Sequence, residues 1–481
     1  MSRSTTSKSA RVLDDWQPRN PVVQAVKSAA AWACVVAVAA VGGVLMVGNR
    51  KFGFAFAAFM LAFGVFVADP ILLVVIALPG VMLLQRIGGA STNLSVADLL
   101  VFLAGVISLF HIRWKDAPFL RQFMRGVVWY EAVLILVVVA HPNRYNVVEW
   151  FHRFSYLGAS VLAGWVIAKS GRIRQAFRLF LAGAAVLAVI AMGVAVALHF
   201  HPAQFGAYQK NSIGAVMWVA IVVAQINPSW TGIKRGQARI VKYLCLVGLL
   251  ATQSRQSAIL LVVALGAALF LSPELRRRGK ILLLAAVPVV VLVYYSFSIN
   301  ARNNPQFNSV AIRVGQISAA MHVWRLSPIL GEGMRFYNLP QYVAVTAPPN
   351  VVIDNLASTG ILGSVAFIFL VVITMRTMYR LPYTLGTLGL VLLLGHYVGG
   401  LFDIFWLGGP TVGPLIIAGV CLGLADMDRM KGDEQPAVAV EPAGEATAAP
   451  GHRSLRPVSR SVMAGVAARL SAARAVLLPS L

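Results

Sequence analysis

Between two apolar runs, with almost no loop to separate them, the chain reads Thr252-Gln253-Ser254-Arg255-Gln256-Ser257. A charge held that tightly at a helix junction is costly beside lipid and is expected to face protein or ligand. The hydroxyl and amide groups around it can satisfy a guanidinium or help it coordinate an anion. Guanidinium groups bind phosphates through paired, charge-assisted hydrogen bonds, so the chemistry open to this residue is recognition of phosphate or pyrophosphate. Similar groups recur elsewhere. Lys210-Asn211 opens another apolar run, and Arg313, Arg325 and Arg335 fall in one long polar stretch, residues 299–352. Asp354 stands at the mouth of the next run, where an acid also suits a helix N-terminus.

The elements that must position these groups follow from composition. Of 481 residues, 58% are hydrophobic and 12% charged, about half the charge of a soluble domain. Apolar runs recur from residue 28 to residue 425, each of the length that satisfies its backbone as a membrane-crossing helix. The alternation of an outer-membrane barrel is absent, and the expected class is an all-α polytopic membrane protein. Fourteen candidate helices can be drawn, at 28–48, 53–68, 70–85, 95–110, 126–140, 154–168, 179–198, 211–226, 241–254, 256–272, 281–298, 353–375, 384–402 and 410–425. The second and third, joined by Asp69-Pro70, can instead form one tilted span or a re-entrant pair, which makes the count 12 to 14.

Charge provides an internal check. With the N-terminus inside, one set of connections carries 30 of the 41 Lys and Arg residues and the other set 11, as the positive-inside rule requires. Both termini are then cytoplasmic, in a bacterial inner membrane. The expected organisation is a basic arm (1–27), an N-terminal bundle (28–298), an outer loop (299–352), C-terminal helices (353–425) and a largely disordered cytoplasmic tail (426–481). The polar start, without a small-residue cleavage site after the first run, does not read as a signal peptide. Cys34, Cys245 and Cys421 lie singly in apolar segments and imply neither disulfide nor metal site. Within the loop, Val310, Val314, Ile317, Met321 and Trp324 recur at spacings of four and three, the stripe of a short helix. Glu131, an acid inside an apolar helix, is expected to pair structurally with Arg125 or another helix.

At this point the motifs resemble those of the O-antigen polymerase and ligase superfamily. The Thr252–Ser257 segment is similar to its short Thr/Ser-Arg signature. Arg313 is followed by Pro328, Gly331 and Gly333, like the family's Arg and later Pro-x-x-Gly-x-Gly, and Lys210-Asn211 looks like its upstream Asn signature. Pro349-Asn350 and Thr359-Gly360-Ile361-Leu362-Gly363 stand where the family reads His-Asn and Glu-x-Gly-Leu-x-Gly. The resemblance covers roughly residues 205–405. It implies a metal-independent glycosyltransferase, without cofactor, that moves glycan from undecaprenyl pyrophosphate to a sugar hydroxyl at the outer face. Arg255 and Arg313 would then clamp the pyrophosphate, with Asp403 as a functional acid and Lys210, Asn211, Arg335 and Asn350 contacting substrate.

Two departures bear on mechanism. The family's His, its presumed base, corresponds to Pro349, and its Glu to Ser358. Proline carries no proton, which makes Asp354 the first substitute base, with His322 and His396 behind it. The expectation leans to a polymerase, since the missing His departs from the ligase pattern. A ligase acting on lipid A core, a flippase of anionic lipid and an inactive lipid-glycan carrier are the alternatives. A flippase would line a path between the two faces with its cations, whereas a transferase keeps them at one face.

Overall fold

A computed structural model describes residues 64, 69–87, 94–271, 309–342, 345–402, 408 and 411–434. The expected helices at 28–48, 53–68 (Gly64 apart) and 281–298 lie outside these residues, as do Cys34, Asp403, the basic arm and most of the tail.

The described chain is all-α apart from a two-residue antiparallel pair, Arg86–Ile87 with Leu94–Ser95. In order, the longer helices are α1 Pro70–Gly80, α2 Val96–His111, α3 Pro118–Ala140, α4 Arg144–Phe154, α5 Ser160–Lys169, α6 Ile173–Ala197, α7 Lys210–Ile226, α8 Arg235–Thr252 and α9 Arg255–Leu271. They continue as α10 Ser309–Leu326, α11 Val351–Tyr379, α12 Tyr383–Gly400 and α13 Gly413–Glu434. Among these, α3, α6, α11 and α12 are long and apolar enough to cross a membrane, and α1, α2, α7 and α9 are shorter apolar helices. The exposed faces are as apolar as the core. Val186, Val189 and Val196 on α6 and Ile361, Val365, Ile368 and Val372 on α11 are each about half exposed or more, at helical spacing. Water would not tolerate such stripes; lipid does. The chain is a multi-pass membrane protein.

Several helices run past the expected spans. Helix α3 starts at Pro118 rather than 126, its fixed φ suiting the first turn. Arg121 and Arg125 are exposed on that turn, where long basic side chains reach water while their stems stay apolar. Helix α4 begins at Arg144, capped by the Asn143 side chain on Asn146 N at 3.0 Å, and joins α5 through a π-turn at Ser155–Ala159. Polar residues that end a hydropathy run do not end a helix.

Without a hydrophobic force between helices in lipid, close backbone approach does the packing. On α5 and α13 it is extreme. A Cβ on Gly164 would stand 1.9 Å from the Ile416 carbonyl oxygen, and one on Gly419 2.2 Å from that of Val161. The same two helices meet α3 through Asp426, fully buried. Its carboxylate accepts from Phe119 N (2.8 Å), Leu120 N (3.3 Å) and the Trp165 indole N–H (2.9 Å). Two orphan donors of the α3 N-terminus are thereby satisfied from another helix.

Gly164→Ala is expected to lower stability by roughly 1–3 kcal/mol through overpacking. Gly193→Ala on α6, where nothing lies within 4 Å of the added methyl, should be neutral. Thermal melting of the two variants in one detergent checks the contrast.

Candidate active site

One end of the bundle gathers residues 309–342 and 345–350 with 86–87, 94–98, 141–153, 199–211, 252–257, 401–402, 408 and 411. Asn146, Gln253 and Asn350 each bond across these stretches. The opposite end carries Lys169 bonded to His111 O and Arg172 paired with Asp69.

The long loop is built on a break in α11. At Gly360, φ is 65° and ψ −165°, a region open only to glycine. In an unbroken helix Ile361 and Leu362 would donate to the carbonyls of Ala357 and Ser358. Here Ile361 N donates to Pro328 O (2.9 Å) and Leu362 N to Ile329 O (3.3 Å). The released carbonyls accept from the loop in return, Ala357 O from Glu332 N (2.9 Å) and Ser358 O from Gly333 N (3.0 Å). Contact is too close for side chains. A Cβ on Gly331 would lie 2.4 Å from Thr359 N, and one on Gly360 2.1 Å from Ile329 O. The sequence pattern Pro-x-x-Gly-x-Gly is thus one side of a docking joint, and Gly360 is the other.

On this joint the loop builds its own small core of Ala320, Val323, Phe336 and Ala357, with Trp324, Tyr337, Leu339, Tyr342, Val345 and Ile353 packed around it. Helix α10 forms where the spacing predicted it, but its buried face differs. Ala320 and Val323 are buried while Val314 is 61% exposed. Small Ala320 allows close approach to the loop core, which a large apolar residue there would prevent.

Two charged clusters form at this end. The first is cationic. Helix α8 reverses at Gln253 in the left-handed region (φ 52°), so only two residues separate its end from the start of α9 at Arg255. Ser254 Oγ donates to Asn211 Oδ1 (3.1 Å) and lies 3.0 Å from Ser257 Oγ, tying the junction to the start of α7. Lys210 and Arg255 stand just before the predicted spans 211–226 and 256–272 and feel each other's charge. Burial and Arg255 lower the Lys210 pKa. Burial, then the charge of Arg313 on α10, pushes the Arg255 guanidinium down to about 10. Three cations distant in sequence are therefore held within electrostatic reach. Beside them opens a cleft with Asn211, Ser212, Gln256 and Ser257 at its polar part and Trp218, Leu260 and His396 along its wall. Gly408 and Thr411, which follow Asp403 in the chain, also line it.

The second cluster is an ion network around Arg153, 2% exposed. Its Nε donates to Glu149 Oε1 (3.3 Å), one terminal nitrogen to Tyr130 OH (2.7 Å) and Asn355 Oδ1 (3.1 Å), and the other to Asp354 Oδ2 (3.0 Å). The second oxygen of Glu149 takes Arg335 Nε at 2.6 Å. Burial opposes the charge of Glu149, yet Arg335, His152 and Arg153 hold its carboxyl well below the usual range. Arg335 also donates to His152 Nδ1 (2.9 Å). The other ring nitrogen of His152, Nε2, lies 3.8 Å from Asp98 Oδ2.

The expected site residues thus divide. Lys210, Asn211, Arg255 and Arg313 come together. Asp354 and Arg335 join the Arg153 network instead. Asn350 caps α11, its Oδ1 accepting from Val352 N (2.8 Å) and Ile353 N (3.2 Å) while its amide donates to Leu401 O. Asp354 is therefore not the cap. Its side chain is 18% exposed and also accepts from Ser358 Oγ (3.2 Å). Pro349 is buried, and His322 is exposed. Glu131 does not pair with Arg125. It is buried, neither carboxyl oxygen has a hydrogen-bond partner among the described residues, and its charged neighbours are Arg153 and Glu149. The Asp98 and His152 contacts were not foreseen; Asp98 three residues after Ser95, a capping-box spacing, was the available signal.

Residues 240–368 match the family model described as O-Antigen ligase. That stretch runs from α8 to α11 and includes Arg255, Arg313, the loop joint and the Gly360 break. Over this stretch, about a quarter of the chain, the protein is similar to the O-antigen ligase and polymerase superfamily. That likeness supports a membrane glycosyltransferase of the ligase/polymerase type. No curated protein matches the chain significantly.

Gly360→Ala is expected to undo the joint, since both φ and the Ile329 carbonyl exclude a Cβ. The strain alone is about 1–3 kcal/mol. Limited proteolysis should then cut near residues 327–335 much faster than in the parent protein; equal rates would show that the joint does not hold the loop.

Proposed function

We propose that this protein transfers glycan from undecaprenyl pyrophosphate to a sugar hydroxyl of another lipid-linked glycan, as a polysaccharide polymerase at the outer face of a bacterial inner membrane. The convergence of Lys210, Arg255 and Arg313 beside the cleft carries this reading. Three cations held near one another repel, and a pyrophosphate between them relieves that repulsion. In the reaction the acceptor oxygen attacks the anomeric carbon and the bond from that carbon to the pyrophosphate oxygen breaks, with inversion. The electron pair leaves with undecaprenyl pyrophosphate, whose growing charge the two guanidinium groups and Lys210 stabilise. The acceptor proton passes to a base. Asp354 is the candidate, because two of its carboxylate acceptor positions remain after the Arg153 and Ser358 bonds. Asp403, five residues before Gly408 in the chain, belongs to the same proposal. Asn211 fits a donor contact, while Arg335 and Asn350 support the site through the loop and the α11 cap. No metal or other cofactor has a part in this scheme.

The family description favours one second reading, an O-antigen ligase whose acceptor is lipid A core. The two differ only in acceptor. A reconstituted assay decides: pure protein in liposomes, lipid-pyrophosphate-linked repeat units as donor, and product length read by gel and mass. Longer glycan without added acceptor identifies a polymerase, and donor use only with lipid A core identifies a ligase. Turnover with neither would sink the transferase reading for these donors.

Arg255→Lys and Arg313→Lys should each slow transfer about tenfold or more, since a point charge lacks the planar fork. Donor affinity should also decline with rising pH. Lys210 binds anions while protonated, and its lowered pKa brings the loss of charge to lower pH than for a free lysine. Lys210→Arg should flatten that decline in a binding titration.

A further inference from the structure

Arg153, Tyr130 and Glu149, on α3 and α4, lie outside the family match, and nothing in the transfer scheme explains why a guanidinium is buried there. Burying an ion network is poor value for stability alone; apolar side chains of similar volume serve as well. What the network does achieve is geometric. Four acceptors from α3, α4 and α11 surround one planar fork, Tyr130 OH, Glu149 Oε1, Asn355 Oδ1 and Asp354 Oδ2. Glu149 then passes the constraint to Arg335 in the loop. Asn355 is itself fixed, its amide donating to Val351 O (2.8 Å) and its oxygen also accepting from Tyr130 OH (2.9 Å). Asp354 is thus the most exposed acceptor of the fork, at 18% against 14% for Glu149, with one oxygen aimed by Arg153 and the other by Ser358.

We propose that Arg153 is a positioning residue for glycan transfer: buried and out of substrate's reach, it aims the Asp354 carboxylate and locks the loop residue Arg335 to the same frame. This rests on the reading of Asp354 as the proton acceptor. The role is one of orientation, so a cation of different shape does not replace it. Lysine offers a single ammonium, which cannot bond α3, α4 and α11 in the plane that the fork spans. Donor binding depends on the other cluster and is untouched.

The test uses the full-length protein in liposomes, with rates normalised to folded protein and kcat and KM measured separately for donor and acceptor. Arg153→Lys should lower kcat about tenfold or more, the scale on which small misplacements act, with donor KM within about twofold of the parent. Tyr130→Phe, which removes one acceptor without changing volume, should lower kcat about threefold in the same pattern. A parental kcat in folded Arg153→Lys overturns the proposal, as does a rise in donor KM with kcat unchanged. Should Arg153→Lys not fold, a parental kcat in Tyr130→Phe overturns it alone. Asp354→Asn separates the two layers. Loss of turnover in Asp354→Asn beside a parental Arg153→Lys removes Arg153 and keeps the base. Parental turnover in Asp354→Asn removes the base, and the Arg153 role with it.

Discussion

A backbone amide in apolar surroundings must find a partner, and the loop end of this protein is organised by how that demand is met at Gly360. Breaking a helix frees donors and acceptors that cost several kcal/mol each when left unpaired in lipid. Here the two donors after the break and the two carbonyls before it are taken up by 328–333. The break and the loop are each other's condition. With the loop seated, α10 stands on its small core and Arg313 comes within reach of Arg255. Past the break, 361–379 still provides about 28 Å of helix, enough to cross the hydrocarbon.

The arginines at this end divide into two kinds by their surroundings. Arg153 and Arg335 are matched by Glu149 and Asp354 at 2.6–3.3 Å, so their charge is spent inside the protein. Arg255 feels the charge of Arg313, and Lys210 that of Arg255, in each case with the same sign. Both kinds obey the rule that a charge near lipid needs a reason, but the reasons differ: one set ties helices to the loop, and the other is the one proposed to take an anion.

Much of this was legible in sequence, and the remainder failed for identifiable reasons. Apolar run length predicted an all-α membrane protein, because hydrocarbon permits few other backbones. Arg255 stood out because its junction is so short. The glycines at 331 and 333 stand out in sequence only as motif positions; that they dock against the Gly360 break, some thirty residues on, requires the third dimension. The Arg153 network joins residues 130, 149, 335 and 354, and no spacing rule connects positions so far apart. Asp354 was weighed as a helix cap, whereas Asn350 takes that place, since a cap must precede the first helical residue.

The reciprocal bonding at the break also sets what can be inherited or exchanged as a unit. Each partner supplies both donors and acceptors, so neither the loop nor the helix carries a complete half of the joint. A chimera that borrows the loop of a relative but ends before residue 357 brings half of a lock. The smallest transplantable piece is residues 328–362, loop and broken helix together. Diversity in acceptor choice across such enzymes is then expected to accumulate ahead of Pro328 and between the loop core and Asn350, where the chain can vary without disturbing the joint.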